Sequence, residues 1–189
     1  MLKKFYVTWF LIFVLGHAWA DVCEVASSQP IQMQDDGLFP EALNVYLSDS
    51  CAWKVKIAAV RTFNVRINSS LDGMMVFKGT LTISKNVRNE DTAINRKIAH
   101  RIENGSYQSS ENGFDLYFEE SEFPLIYIDN LSPVPALIHC SKNYFCDYKS
   151  IHRGSSTNYR LLGQFTDIFD PQLVKQEIDN FMNSIFKLK

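Results

Sequence analysis

The groups with which this chain could do chemistry are the histidines His100, His139 and His152, the cysteines Cys23, Cys51, Cys140 and Cys146, and two clusters of charge. A serine hydrolase needs a nucleophile beside a base, and no Gly-x-Ser-x-Gly elbow is present. Nor is there a P-loop, a dinucleotide fingerprint, a His-Glu-x-x-His pair or an EF-hand loop. A histidine-based hydrolase would have to be assembled from His139 or His152 and scattered polar residues. His139, Cys140, Cys146 and His152 would make a tetrahedral zinc set only as thiolates, and the spacing Cys-x5-Cys-x5-His matches no common finger. There is no Cys-x-x-Cys redox pair. No catalytic residue, metal or cofactor is therefore expected.

The acidic group Asp115, Glu119, Glu120 and Glu122 reads as a solvated strand end, since a calcium site needs several oxygens that converge. The basic group Arg96, Lys97, His100 and Arg101 has the same status. With a formal net charge of −2, nothing points to nucleic acid or an anionic membrane as partner. The sharpest feature is the run Cys140-Ser141-Lys142-Asn143-Tyr144-Phe145-Cys146-Asp147-Tyr148. A bond between Cys140 and Cys146 would clamp a short loop carrying adjacent aromatics. Clamping lowers the entropy lost on binding, and aromatics give large contact area with few torsions. Lys142, Asn143, Tyr144, Phe145 and Tyr148 are thus the expected partner-binding residues, unless the aromatics turn into the core.

The elements that position this loop begin with an export signal. Residues 1–20 hold Lys3 and Lys4, an apolar run over 5–16 and Ala18-Trp19-Ala20, the three parts of a secretory signal peptide cleaved before Asp21. The run is shorter than the roughly 20 apolar residues that span a bilayer, so no stable membrane anchor is expected. The lysine pair points to a bacterial periplasm. In a secreted eukaryotic protein, Asn68, Asn104 and Asn130 would be glycosylation acceptors. An even cysteine count in an oxidising compartment argues for two disulfides. Of the possible pairings, proximity in sequence favours Cys23 with Cys51 and Cys140 with Cys146.

The segment 53–85 reads as two long amphipathic strands around a turn at 68–73. Phe63, Val65 and Ile67 share one parity, as do Phe77, Leu81 and Ile83, with polar residues between them. Val60 and Arg61 break the alternation and predict a bulge. Residues 21–52 form an N-terminal arm, tethered by its disulfide, with a short helix over 40–48. Residues 53–189 form a single α+β domain. Within it 92–104 is read as a strand, although Ile94, Ile98 and Ile102 also suit a helix, and 107–112 is read as a polar loop. Strands follow over 114–120, with Phe114, Leu116 and Phe118 inward, and over 123–129, 136–140, 145–150 and 159–165. Asp170 caps a final helix whose stripe is Val174, Ile178, Phe181, Met182, Ile185 and Leu188. Its closing run Phe181-Met182-Asn183-Ser184-Ile185-Phe186-Lys187 is similar to the last helix of the PsbP-like α/β/α sandwiches, and no function is carried over from so short a match.

The expected architecture is α+β: an antiparallel sheet of about six strands with a C-terminal amphipathic helix packed on one face. The expected function is that of a non-catalytic periplasmic or secreted binding protein, an inhibitor of a partner enzyme or an immunity protein against a toxin. It would contact its partner protein through the clamped loop. The alternatives are a periplasmic hydrolase with a histidine-based site and an envelope structural or assembly protein, the latter marked by an unpaired sheet edge.

Overall fold

Within the N-terminal arm, residues 43–45 are extended where the sequence suggested a helix over 40–48, whose first three residues lie outside the described ones. β1 (Ile31–Met33) and β2 (Leu43–Val45) form a small antiparallel ladder, with Ile31 opposite Val45. These features come from a computed structural model that describes residues 21–24, 26–33, 43–52, 60–85, 90–132, 136–152, 157–166 and 170–186. The predicted leader and residues 53–59 lie outside the described residues. The period that governs the arm is two: Leu43, Val45 and Leu47 alternate with Asn44 and Tyr46, and Val45 and Leu47 are fully buried. A single 3-10 turn, Asp49–Cys51, then brings Cys51 to Cys23, and the two form a disulfide.

The main sheet has eight strands, not six. In chain order its elements are β3 (Val60–Asn68), β4 (Met75–Lys85), helix α1 (Glu90–Asn104), β5 (Ser106–Glu111), β6 (Phe114–Phe118), β7 (Leu125–Asp129), β8 (Leu137–Cys140), β9 (Phe145–His152), β10 (Thr157–Phe165) and helix α2 (Pro171–Phe186). In space the order is β3-β4-β10-β9-β8-β7-β6-β5, with every neighbouring pair antiparallel. β5 to β10 thus form one continuous meander that returns to close against β4. To begin it, the chain must travel from β4 to the far edge of the sheet. α1 makes that crossing, which is why 92–104 is helix and not strand: 15 residues of helix advance about 22 Å, several strand spacings. Gly105 stops it, its N–H bonding to Arg101 O at 2.8 Å.

β3 and β4 pair without interruption from Val60 opposite Ser84 to Ile67 opposite Phe77. The register shift falls at Ile67/Asn68, next to the turn, and not at Val60/Arg61 as the alternation suggested. The turn itself is closed by Gly73 N–H to Ser69 O at 3.0 Å, with Gly73 at φ 72°, where a side chain would be strained. The predicted polar loop at 107–112 is β5, an edge strand whose six residues are all exposed. Asn112 and Gly113, at φ 50° and 79°, turn it tightly into β6.

The sheet is covered unequally on its two faces. On one face, Phe63, Val65, Phe77, Leu81, Tyr148 and Leu161 pack with the buried stripe of α2, Val174, Ile178, Phe181, Met182 and Ile185. The arm belongs to this core through Val45, Leu47 and the Cys23–Cys51 disulfide. On the other face, a smaller cluster of Tyr117, Ile126, Ile128 and Leu137 takes Ile98 of α1. β6 therefore points Tyr117 inward as well as Phe114, while Phe118, expected inward, is exposed. A strand between two covered faces need not alternate, and β6 is such a strand.

Candidate functional site

Cys140 and Cys146 sit directly opposite each other at the end of the β8–β9 ladder and are joined by a disulfide. Between them Ser141 organises the loop. Its N–H bonds to Phe145 O at 2.9 Å, its carbonyl accepts from Tyr144 N at 3.1 Å, and its hydroxyl accepts from Phe145 N at 3.2 Å. β10 holds the loop from outside, Gln164 Nε2 donating to Asn143 O at 2.8 Å and Phe165 N to Tyr144 O at 3.0 Å. Tyr144 is at φ 55°, a left-handed conformation that a non-glycine residue keeps only when its surroundings enforce it.

The five predicted contact residues separate. Lys142 and Asn143 are exposed, and Phe145 is 42% exposed with its ring 6.5 Å from that of Phe123. Tyr144 is half-buried, its phenol close enough to Tyr127 to help burial raise that phenol's pKa. Tyr148 is 0% exposed, stacked 6.0 Å from Tyr159, and belongs to the core. Its place in the pattern was readable: Tyr148 shares the parity of Cys146, which faces the same core. Strand pairing puts the loop at the sheet end that also carries Phe118, Phe123 and the β3–β4 turn with exposed Leu71 and Met74.

The alternatives for chemistry also find their places. Both sulfurs of the would-be zinc set are consumed in the Cys140–Cys146 bond, and no group of three or more metal-ligating side chains converges among the described residues. His100 is exposed on α1, and the side chain of His152 lies outside the described residues. His139 stands across from Asp147 on the α1-covered face. Its Nε2 is buried without a hydrogen-bond partner. Burial, with Arg101 and Lys149 adding to it against Asp147 and Glu119, lowers its pKa to about 4. Asp147 does not serve it: Arg160 grips that carboxylate with two bonds, 2.7 and 3.0 Å, and Lys149 with one at 2.6 Å. Burial pushes the Asp147 carboxyl up, but these partners together hold it below its usual value. A neutral imidazole whose neighbouring carboxylate is neutralised by two cations has no nucleophile to activate among the groups bonded here.

The acidic group disperses. Asp115 accepts from Asn130 at 2.9 Å, Glu119 pairs with Arg101, and Glu120 and Glu122 are exposed. Of the basic group, Arg101 is thereby committed, while Arg96, Lys97 and His100 line the exposed side of α1. Comparison with family models, curated proteins and solved structures returns no match.

Proposed function

We propose that this is a non-catalytic binding protein of an oxidising compartment, exported to the periplasm or secreted, whose contact surface is built around the loop clamped by Cys140 and Cys146. The carrying observation is that the loop is tied down by its own bonds with no partner present. It is closed by a disulfide, four hydrogen bonds through Ser141 and two from β10, and still presents Phe145, Lys142 and Asn143 outward. A preformed loop loses little entropy on binding, and a single exposed aromatic flanked by polar residues is how hot spots are arranged. An inhibitor of a partner enzyme or an immunity protein works in this way. Two disulfides fit that compartment.

The test is affinity capture from the host's envelope fraction with the oxidised protein, beside Phe145→Ala and Leu131→Ala. Leu131 is also apolar and is more exposed than Phe145, but it sits at the opposite end of the sheet. A protein held by wild type and Leu131→Ala and released by Phe145→Ala supports the loop; equal behaviour of the two variants rejects it. A second reading, an assembly protein that accepts a strand, is supported by β5, a whole edge strand left exposed. Ser109→Pro would then abolish assembly while leaving Phe145-dependent capture intact.

A further inference from the structure

Where α2 begins beside β6 and β7, a cleft of about 340 Å³ opens, lined among others by Asn112, Phe114, Asp129, Leu131, Lys175 and Asp179. A second chamber of about 250 Å³ shares Asn112 and Phe114 with it and adds Glu111, Leu116, Tyr127 and Asp170. Asp129 is 6% exposed. Its Oδ1 is satisfied, accepting from the backbone N–H groups of Leu131 and Ser132 at 3.0 Å each. Its Oδ2 is buried and receives no hydrogen bond. The nearest cation, Lys175 Nζ, stays 4.0 Å away, because it bonds to Asp179 Oδ2 at 2.5 Å. Asp179 Oδ1 in turn accepts from the Tyr159 hydroxyl at 3.2 Å.

One ammonium is thus shared by two carboxylates and satisfies only one. A buried carboxylate oxygen without a donor is costly, and a cationic N–H is the strongest donor it could receive. The other chamber carries Glu111 and Asp170 and, among the described residues, no basic one. Asp170 spends one oxygen on capping α2, through Gln172 N at 2.9 Å and Leu173 N at 3.2 Å. Phe114 lines both chambers, and Leu116 and Tyr127 line the second. An anion would meet a carboxylate at either end, whereas a chain with an ammonium at each end meets its complement.

We propose that the double cleft binds a linear aliphatic diamine or polyamine, with one ammonium between Asp129 and Asp179, the alkyl chain along Phe114 and Leu116, and the other ammonium at Glu111 and Asp170. Lys175 is the resident stand-in for the first ammonium and is displaced when the ligand enters. This site is independent of the clamped loop.

Isothermal titration of the oxidised protein at low ionic strength with cadaverine, spermidine and pentylamine tests it. Cadaverine and spermidine should bind saturably, with pentylamine at least about tenfold weaker, as expected from the loss of one charge-assisted contact. Asp129→Asn keeps the oxygen that accepts from Leu131 and Ser132, so the fold should survive while cadaverine affinity falls at least about tenfold. Glu111→Gln, on an exposed strand, should bring cadaverine down to the level of pentylamine. Lys175→Met should tighten binding, because the competing ammonium is gone. No saturable binding to wild type and Lys175→Met would overturn the proposal. So would weaker binding by Lys175→Met, or affinities that ignore Asp129→Asn or Glu111→Gln.

Discussion

His139 links the interior of this protein to pH. Burial holds its folded pKa at about 4 against an ordinary 6.5, so between those values the unfolded chain binds a proton that the folded chain refuses. The stability contributed by keeping His139 neutral is therefore full above pH 6.5 and is lost as the pH drops toward 4, by about 3 kcal/mol. Asp147 acts lower: its folded pKa is depressed, so its contribution is present above the ordinary carboxylate value and is lost only as pH falls below it. His139→Leu should flatten the upper part of the profile and leave the lower part unchanged, read from urea midpoints at several pH values; an unaltered upper slope would assign that titration elsewhere. A second residue-scale constraint is the glycine pair Gly79 and Gly163, opposite each other on β4 and β10. A Cβ on Gly79 would lie 2.3 Å from Leu162 O and 2.7 Å from Gly163 Cα, both backbone. Gly79→Ala should cost about 3 kcal/mol, seen in equilibrium unfolding. At this scale the cysteines were legible because proximity leaves few sensible partners. The burial of Tyr148 was legible too, in the parity it shares with Cys146, a signal masked by the clamped window around it.

The two helices differ in what holds them. α2 buries Val174, Ile178, Met182 and Ile185 to 1% exposure or less, and its buried Glu177 accepts from both the N–H and the hydroxyl of Ser70, pinning the β3–β4 turn. Among the described side chains, α1 keeps Arg96, Lys97, Ala99, His100, Ile102, Glu103 and Asn104 exposed and meets the sheet through Ile98 and the Arg101–Glu119 pair. Phe181→Ala should therefore cost about 3–5 kcal/mol, and amides of α1 should exchange with solvent far faster than those of α2. Equal protection of the two helices would show that α1 is held by more than Ile98 and Arg101. The same contrast explains which elements could be read. α2 announces itself through an N-cap, a proline and a stripe. α1 has weak amphipathicity, and its identity follows from topology: a crossing is needed only because β10 has taken the place beside β4. β5 is polar throughout, so hydrophobic alternation is silent, but Asn112-Gly113 was the signal for a hairpin there.

For the whole molecule, the decisive asymmetry is between the two edges of the sheet. The β3 edge is closed by the arm. Cys23 lies alongside Val65 in a parallel bridge, with Cys23 N–H to Asn64 O and Arg66 N–H to Cys23 O both at 2.9 Å, and Ala52 forms an antiparallel bridge to Phe63. The Cys23–Cys51 bond ties these covers together across 28 residues of sequence. Among the described residues the β5 edge has no such cover, and it carries neither proline nor lysine as a guard against unwanted pairing, only the irregularity in its pairing with β6 between Tyr107 and Ser109. Chain-entropy reasoning gives the Cys23–Cys51 loop about 3.5 kcal/mol and the shorter Cys140–Cys146 loop about 2. Their removal should differ in kind as well as size. Cys140→Ser/Cys146→Ser loosens one turn and should leave the association state unchanged. Cys23→Ser/Cys51→Ser frees both covers of β3, giving each molecule two open edges, so that antiparallel pairing can propagate. Sedimentation velocity should then show concentration-dependent association for that variant alone, and Ser109→Pro added to it should limit the species formed, since chains need both edges to grow. If Cys23→Ser/Cys51→Ser remains at the size of the wild type, the bridges at Val65 and Phe63 hold the arm without their disulfide.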